Sequence, residues 1–345
     1  DKQSRFTSFA KISPANSSKY ENYKFPYYVS DSMVLSSFSS IDDITRFVIT
    51  GPAGFKKTIV TPGYLSAENI SAVSVTPQMP AGKETDINVR VPAFLLAWTE
   101  TINDLRWEQR NYSVIRIFDS RTGNIKKLTL KSRFFAPAFS PDGNLLVAVR
   151  KMPEGNSSLV IIDIESGAVN TLLVSSDTGF YMTPSWSKDG KNIVFTYFDG
   201  NGKSLEVYDL VHRHVRTILP STTTEISNPV IAGDYILFNG SYSGIENVYA
   251  VKPGGNEIYK VTSARYGARD ANLSPDGKKI VYSNYSSTGY SLAECSFDPH
   301  TWEKLSETMD FSPSLYKYLA NEEHSLRDTI SKTDTSYMSE PYRKA

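Results

Sequence analysis

Residues 133–150 read RFFAPAFSPDGNLLVAVR, residues 180–197 read FYMTPSWSKDGKNIVFTY, and residues 267–283 read GARDANLSPDGKKIVYS. A shorter version, ISNPVIAGDYILFNG, occupies 226–240. Ser140 and Ser187 lie 47 residues apart, and Ser187 and Ser274 lie 87 apart, close to two periods. A strand-rich repeat with a period in the forties is the sequence signature of a propeller blade.

Each unit parses into four strands. The first is short and ends at Ser-Pro-Asp-Gly or Ser-Lys-Asp-Gly, where Gly supplies the positive φ of a tight turn. Asp142, Asp189 and Asp276 are read as shaping these turns. The second strand is a near-continuous apolar run: Leu145 to Val149, Ile193 to Tyr197, Tyr235 to Phe238, Ile280 to Tyr282. Such runs suit strands covered on both faces. The third strand reads VIRIFD (114–119), LVIIDI (159–164), LEVYDL (205–210) and NVYAVK (247–252), and a fourth closes the blade, as in KKLTL (126–130) and VRTIL (215–219).

Working outward, FPYYVSDSMVLSSFSS, RFVIT and KKTIVTP make a blade at about 25–62. ISAVSV, FLLAWTE, VIRIFD and KKLTL make the next at about 68–130, with TPQMPAGKETDINVRVP inserted between its first two strands. With blades at about 133–175, 180–223, 226–263 and 266–307, the chain is predicted to be an all-β, six-bladed propeller of four-stranded antiparallel blades. Seven blades is the alternative. The expected layout is an N-terminal segment 1–24 with a possible ring-closing strand at 5–12, the propeller at 25–307, and a linker or docking tail at 308–345 with a short helix near 315–325. Phe139, Trp186 and Leu273 are expected at equivalent positions.

Composition bounds the function classes. The 345 residues are 40% hydrophobic and 12% aromatic, with 21 Tyr and 17 Phe, which suits strands and a sizeable core. Lys plus Arg equals Asp plus Glu at 37 each, so net charge gives no general attraction to nucleic acid or anionic membrane. No run approaches the roughly 20 apolar residues of a membrane span, and no direct membrane insertion by this chain is expected. The single cysteine, Cys295, excludes an intrachain disulfide framework. The start at Asp1 does not read as a signal peptide, so a processed chain or excised domain is expected.

No catalytic constellation is read. GSYSG at 240–244 carries Tyr242 where a nucleophile elbow needs Ser, and a strand–strand loop is the wrong context. His212 and His214 flank Arg213 in an expected turn, and a His-x-His pair can bind zinc, but three ligands plus water are usual and no HExxH or other partner motif accompanies them, so surface histidines are expected. No catalytic residue, metal or cofactor is assigned.

The loops between second and third strands all emerge on one face of a propeller. The longest, INDLRWEQRN (102–111), carries Arg106, Trp107 and Arg110. Arg- and Trp-rich composition is that of an interface hot spot. The competing reading has Trp107 folded onto its own blade and Arg106 paired with Asp104 or Glu108. Asp43, Tyr242 and Tyr290 are further candidates on this face, and Arg269 and Asp270 are expected near the channel mouth.

At its Ser-Pro-Asp-Gly turns, in FAPAFSPDGNLLVAV, TPSWSKDGKNIVFT, SGIENVYAV and DANLSPDGKKIVYS, the chain resembles the TolB-like, WD-repeat-like propellers of bacterial cell envelopes. The resemblance covers about 130–307 clearly and 25–130 more weakly. It implies a periplasmic or outer-envelope location and a non-catalytic role, binding a protein or peptide partner at the loop face and channel mouth. It leaves open a regulatory or substrate-gating propeller, docked to another domain of a larger peptidase-like or membrane-barrel protein. A carbohydrate- or small-molecule-binding propeller is a further alternative.

Overall fold

The computed structural model describes residues 6–307 except 15–18, 63–66, 76–90, 108–109, 131, 154, 177–178 and 256, and beyond 307 only 319 and 321–323. The inserted segment and the tail read from the sequence therefore lie largely outside the described residues.

Six antiparallel sheets follow one another along the chain. The first strands of the six blades are Glu21–Ser30, Ala67–Ser74, Phe134–Phe139, Phe180–Trp186, Ile226–Ala232 and Ala268–Leu273. The second strands are Met33–Ser40, Phe94–Asn103, Leu145–Lys151, Asn192–Phe198, Tyr235–Gly240 and Lys279–Ser286. Within each blade these pair as neighbours and the third and fourth strands follow outward. Phe139, Trp186 and Leu273 each end a first strand and pair with Leu146, Ile193 and Ile280.

The apolar second strands follow from where the core sits. Apolar clusters are wedged between neighbouring blades. Leu146 and Ala148 join the cluster shared with blade 2, whereas Val147 and Val149 join the one shared with blade 4. Alternate side chains of one strand thus feed two cores, so no position on it can be polar without facing one of them. Each of the Leu and Val side chains among them, fully buried, contributes about 1.5–3 kcal/mol.

The Ser-Pro-Asp-Gly turn is a closed hydrogen-bond unit. Ser140 Oγ accepts the Leu145 N–H at 3.0 Å and donates to Asp142 at 2.5 Å. Ser187 with Asp189 and Ser274 with Asp276 repeat it. The glycines at 143, 190 and 277 hold φ of 73°, 70° and 73°, which an L side chain takes only with strain. The hydroxyl bond to each carboxylate is the main cause holding Asp142, Asp189 and Asp276 below the usual carboxylate range.

The ring closes by borrowing strands. Ala10–Lys11 pairs with Gly289–Ser296 and is the outermost strand of blade 6. Glu303–Lys304 crosses back and pairs with Ile258–Lys260, making blade 5 five-stranded. Trp302 anchors that return, its ring 5.0 Å from Tyr235 and 5.3 Å from Phe297. Across the seam, Tyr28 of blade 1 donates to Glu294 of blade 6 at 2.7 Å. Among the described residues, no helix is long and apolar enough to cross a membrane.

Candidate functional site

Every first strand carries the same irregularity. Its register against the second strand slips so that two residues face one: between Lys24 and Tyr27, Glu68 and Ser71, Phe135 and Ala138, Met182 and Ser185, Ser227 and Val230, and Arg269 and Asn272, with a second slip in blade 1 between Tyr28 and Ser30. In each bulge the first extra residue is left-handed: Phe25, Asn69, Ala136, Thr183, Asn228 and Asp270, with φ between 42° and 59°. Four are followed by proline, at 26, 137, 184 and 229. None is glycine. A β-branched residue such as Thr183 rarely takes this conformation, and holding it costs about 1–3 kcal/mol.

These six bulges line an axial cavity of about 60 Å³. Its polar side is a chain across three blades. The Thr183 hydroxyl accepts the Asn228 N–H at 3.2 Å, and the Asn228 amide donates to Asp270. Asn239 donates its side-chain amide to the same carboxylate oxygen at 3.3 Å and accepts the Asp270 N–H at 2.9 Å. Asp270 is 6% exposed. Its second oxygen has no hydrogen bond but lies 3.3 Å from Arg269 Nε, in an ion pair. Arg269 also lies 3.7 Å from Glu246. Burial opposes the guanidinium's charge, but Asp270, Glu246 and Tyr290 outweigh it and raise its pKa. Tyr27, also on the cavity wall, is pushed up to about 12 by burial and then by the charge of Asp270.

Arg269, Asp270 and Tyr290 thus form one group at the axis. Tyr290 packs against Tyr285 with ring centres 4.8 Å apart and planes tilted by 43°, and the Lys24 ammonium sits 5.1 Å from its ring centre. Arg106, Trp107 and Arg110 form a second group on the longest loop. Asp104 organises it, accepting the backbone N–H groups of Arg106 (2.8 Å) and Trp107 (3.3 Å) and the Tyr112 hydroxyl (2.8 Å). Trp107 remains 58% exposed, with the Arg106 guanidinium 5.6 Å from its ring centre, and neighbouring Leu105 is fully exposed. Arg110 lies 5.4 Å from the Tyr112 ring centre. Glu108 is outside the described residues.

The remaining candidates sit apart. Asp43 is engaged by Arg46 at 2.7 Å on the blade 1 loop, which also exposes Ile41 and Ile44. Tyr242 packs within blade 5, 5.1 Å from Tyr249 and 6.4 Å from Phe238, and burial pushes its hydroxyl up to about 12. Ser243, in the same GSYSG stretch, is buried with its hydroxyl 3.2 Å from the Tyr249 hydroxyl, a packing role. Cys295 is half-buried, and burial pushes its thiol up to about 11, away from the reactive thiolate.

The ring of left-handed bulges was not anticipated from sequence. Its signal was present as Phe-Pro, Ala-Pro, Thr-Pro and Asn-Pro at equivalent repeat positions.

No family model matches the sequence. Over 160 residues the chain is 26% identical to the Protein TolB homolog of Chlorobium luteolum, covering 44% of this chain and 36% of that protein. An uncharacterized protein of Agrobacterium fabrum is 27% identical over 149 residues, 42% of this chain and 49% of its own length. The chain spans about half or less of the length of these curated relatives. Among solved structures, a putative TolB from Agrobacterium tumefaciens superposes with a TM-score of 0.54 at 16% identity, covering 73% of this chain and 84% of that one. The tricorn protease gives 0.55 at 18% identity, covering 82% of this chain and 26% of that one. At these identities the structural likeness is one of fold. Six antiparallel blades, five of four strands and one of five, make this chain a six-bladed β-propeller, similar in sequence to TolB proteins.

Proposed function

We propose that the chain is a non-catalytic module of a bacterial cell-envelope protein, in the periplasm or outer envelope, that binds a protein or peptide. Binding is assigned to the face bearing the second-to-third strand loops. The observation that carries this reading is the exposure of Leu105 and Trp107 side by side, with Arg106 and Arg110 beside them. A large aromatic held in solvent by a hydrogen-bonded loop has no role in this fold's own core. Trp and Arg supply large contact area and several donors, the composition of hot spots. Ile41 and Ile44 extend apolar surface onto the blade 1 loop. The axial group of Arg269, Asp270 and Tyr290 opens a polar mouth for a partner's chain. The relatives support the setting: a Tol-Pal system protein TolB of Francisella tularensis is 24% identical over 199 residues.

The test is site-specific photo-crosslinking in the native envelope. A photoreactive residue at position 107 should give a discrete adduct that one at Val211, exposed on the opposite face, does not. Equal adducts from both positions, or none from 107, would refute the assigned face.

A second reading is a regulatory or gating propeller of a larger peptidase-like protein. It is favoured by the match to the tricorn protease of Thermoplasma acidophilum, 23% identical over 199 residues and 18% of that protein's length. A hydrolase segment in the same reading frame would favour it over the first.

A further inference from the structure

Three blades build the turn between their third and fourth strands on one frame: DSRTGN at 119–124, DIESGA at 163–168 and DLVHRH at 209–214. In each, the leading aspartate caps the turn. Asp119 accepts the Arg121 N–H at 2.9 Å, Asp163 the Ser166 N–H at 2.7 Å, and Asp209 the N–H groups of Val211 and His212 at 2.8 and 2.9 Å. In each, the fifth residue is left-handed: Gly123 and Gly167 at φ 73°, Arg213 at φ 55°. The backbone frame therefore needs neither histidine, since two sibling turns form it without any.

The blade 4 turn differs in what it assembles. Asp209 Oδ1 serves the turn, which leaves Oδ2 facing His212 Nδ1 at 2.9 Å. His214 is the direct cross-strand partner of Asp209, the register that brings side chains on one face together. One ligand atom from each of Asp209, His212 and His214 lies within 4.8 Å of the others. The sequence shows the two histidines, but the third ligand comes from strand register five residues before His214.

We propose that Asp209, His212 and His214 form a binding site for a zinc-type divalent metal ion on the face opposite the second-to-third strand loops. Two imidazoles and one carboxylate are a borderline donor set, suited to zinc over calcium or magnesium, which prefer all-oxygen sites. Tetrahedral zinc with bonds near 2.0–2.1 Å needs ligand atoms about 3.3 Å apart. The His212 side chain is 73% exposed, so it can turn into that geometry without moving the backbone. Three protein ligands leave at least one position open to water or to a donor from another molecule.

The test uses the full chain, stripped by chelator and freed of any oligohistidine tag, titrated with zinc alone against a chromogenic competitor. The expected result is one saturable site per chain, weakened at least tenfold by His212→Ala and by His214→Ala, and unchanged by His300→Ala. Asp209→Asn keeps a turn-capping side chain and should also weaken binding. Cobalt substituted for zinc should give a visible absorption band that disappears in His214→Ala. If His214→Ala fails to fold by circular dichroism, His214→Gln replaces it. Absence of saturable uptake by the wild type, or uptake equally tight in the folded His214 variant, overturns the proposal.

Discussion

Asn228 and Asp270 occupy the same left-handed bulge position on neighbouring first strands, and the amide of one donates to the carboxylate of the other. The strained positions of two adjacent blades are thereby tied side chain to side chain beside the axis. Asn239 braces the same carboxylate from the second strand of blade 5.

Removing that carboxylate should therefore cost stability as well as binding. Asp270→Ala removes the carboxylate that accepts from the half-buried Asn228 amide and the buried Asn239 amide, which keeps only Ser227, a penalty of about 1–3 kcal/mol. Asp270→Asn, which keeps an acceptor oxygen, should cost less. Urea denaturation of both variants at neutral pH checks the order.

Backbone strain at the ring can be relieved or worsened at one position. Ala136 holds φ 47°. Ala136→Gly removes the steric penalty of about 1–2 kcal/mol and adds unfolded-state entropy of about 0.5–1 kcal/mol, so its stability should match or slightly exceed wild type. Ala136→Val puts a β-branched side chain at positive φ and should lose about 1–3 kcal/mol. The two denaturation midpoints should fall on opposite sides of the wild type or bracket it closely.

Two tryptophans of neighbouring sequence should separate folding from recognition. Trp98 is 1% exposed and packs 5.3 Å from Phe47 between blades 1 and 2, so Trp98→Ala should cost about 3–5 kcal/mol. Trp107→Ala should change stability by no more than about 0.5 kcal/mol. It should still weaken partner binding by about 2 kcal/mol or more, measured by titration with the crosslinked partner.

The turn aspartates set an acid limit. Asp142, Asp189 and Asp276 have folded pKa values below their unfolded ones, chiefly through the serine hydroxyl bonds. A depressed carboxylate contributes its full stability above the unfolded pKa of about 3.9 and loses it as pH falls through the lower folded value. The urea midpoint should thus drop as the pH falls below the unfolded value of about 3.9. That drop should shrink in Asp142→Asn, which cannot titrate there.

What the sequence made legible was the part written in local chemistry. Ser-Pro-Asp-Gly marks a turn wherever it stands, and an unbroken apolar run marks a strand with a core on each side. The bulge ring was hidden because Phe25, Ala136 and Thr183 are residues that local propensity never places at positive φ. The rest of the blade imposes it. Tyr242 reads as a rim residue, but Gly240 leaves room for its ring. A Cβ at 240 would sit 3.0 Å from the Tyr242 ring and 2.9 Å from Tyr249. Asp209 joins two histidines only through cross-strand register, which spacing alone does not disclose.

The borrowed strands have a mechanical meaning. Ala10–Lys11 and Glu303–Lys304 each hold by two residue pairs, whereas the second and third strands of blade 2 hold by nine. Tension drawn through either strand therefore loads a two-rung clasp on blade 6 or blade 5, the first backed by the bonds between Thr7 and Ser263. Either clasp would release long before any inner strand yields, and a pulling trace would record a small early release followed by a much larger one.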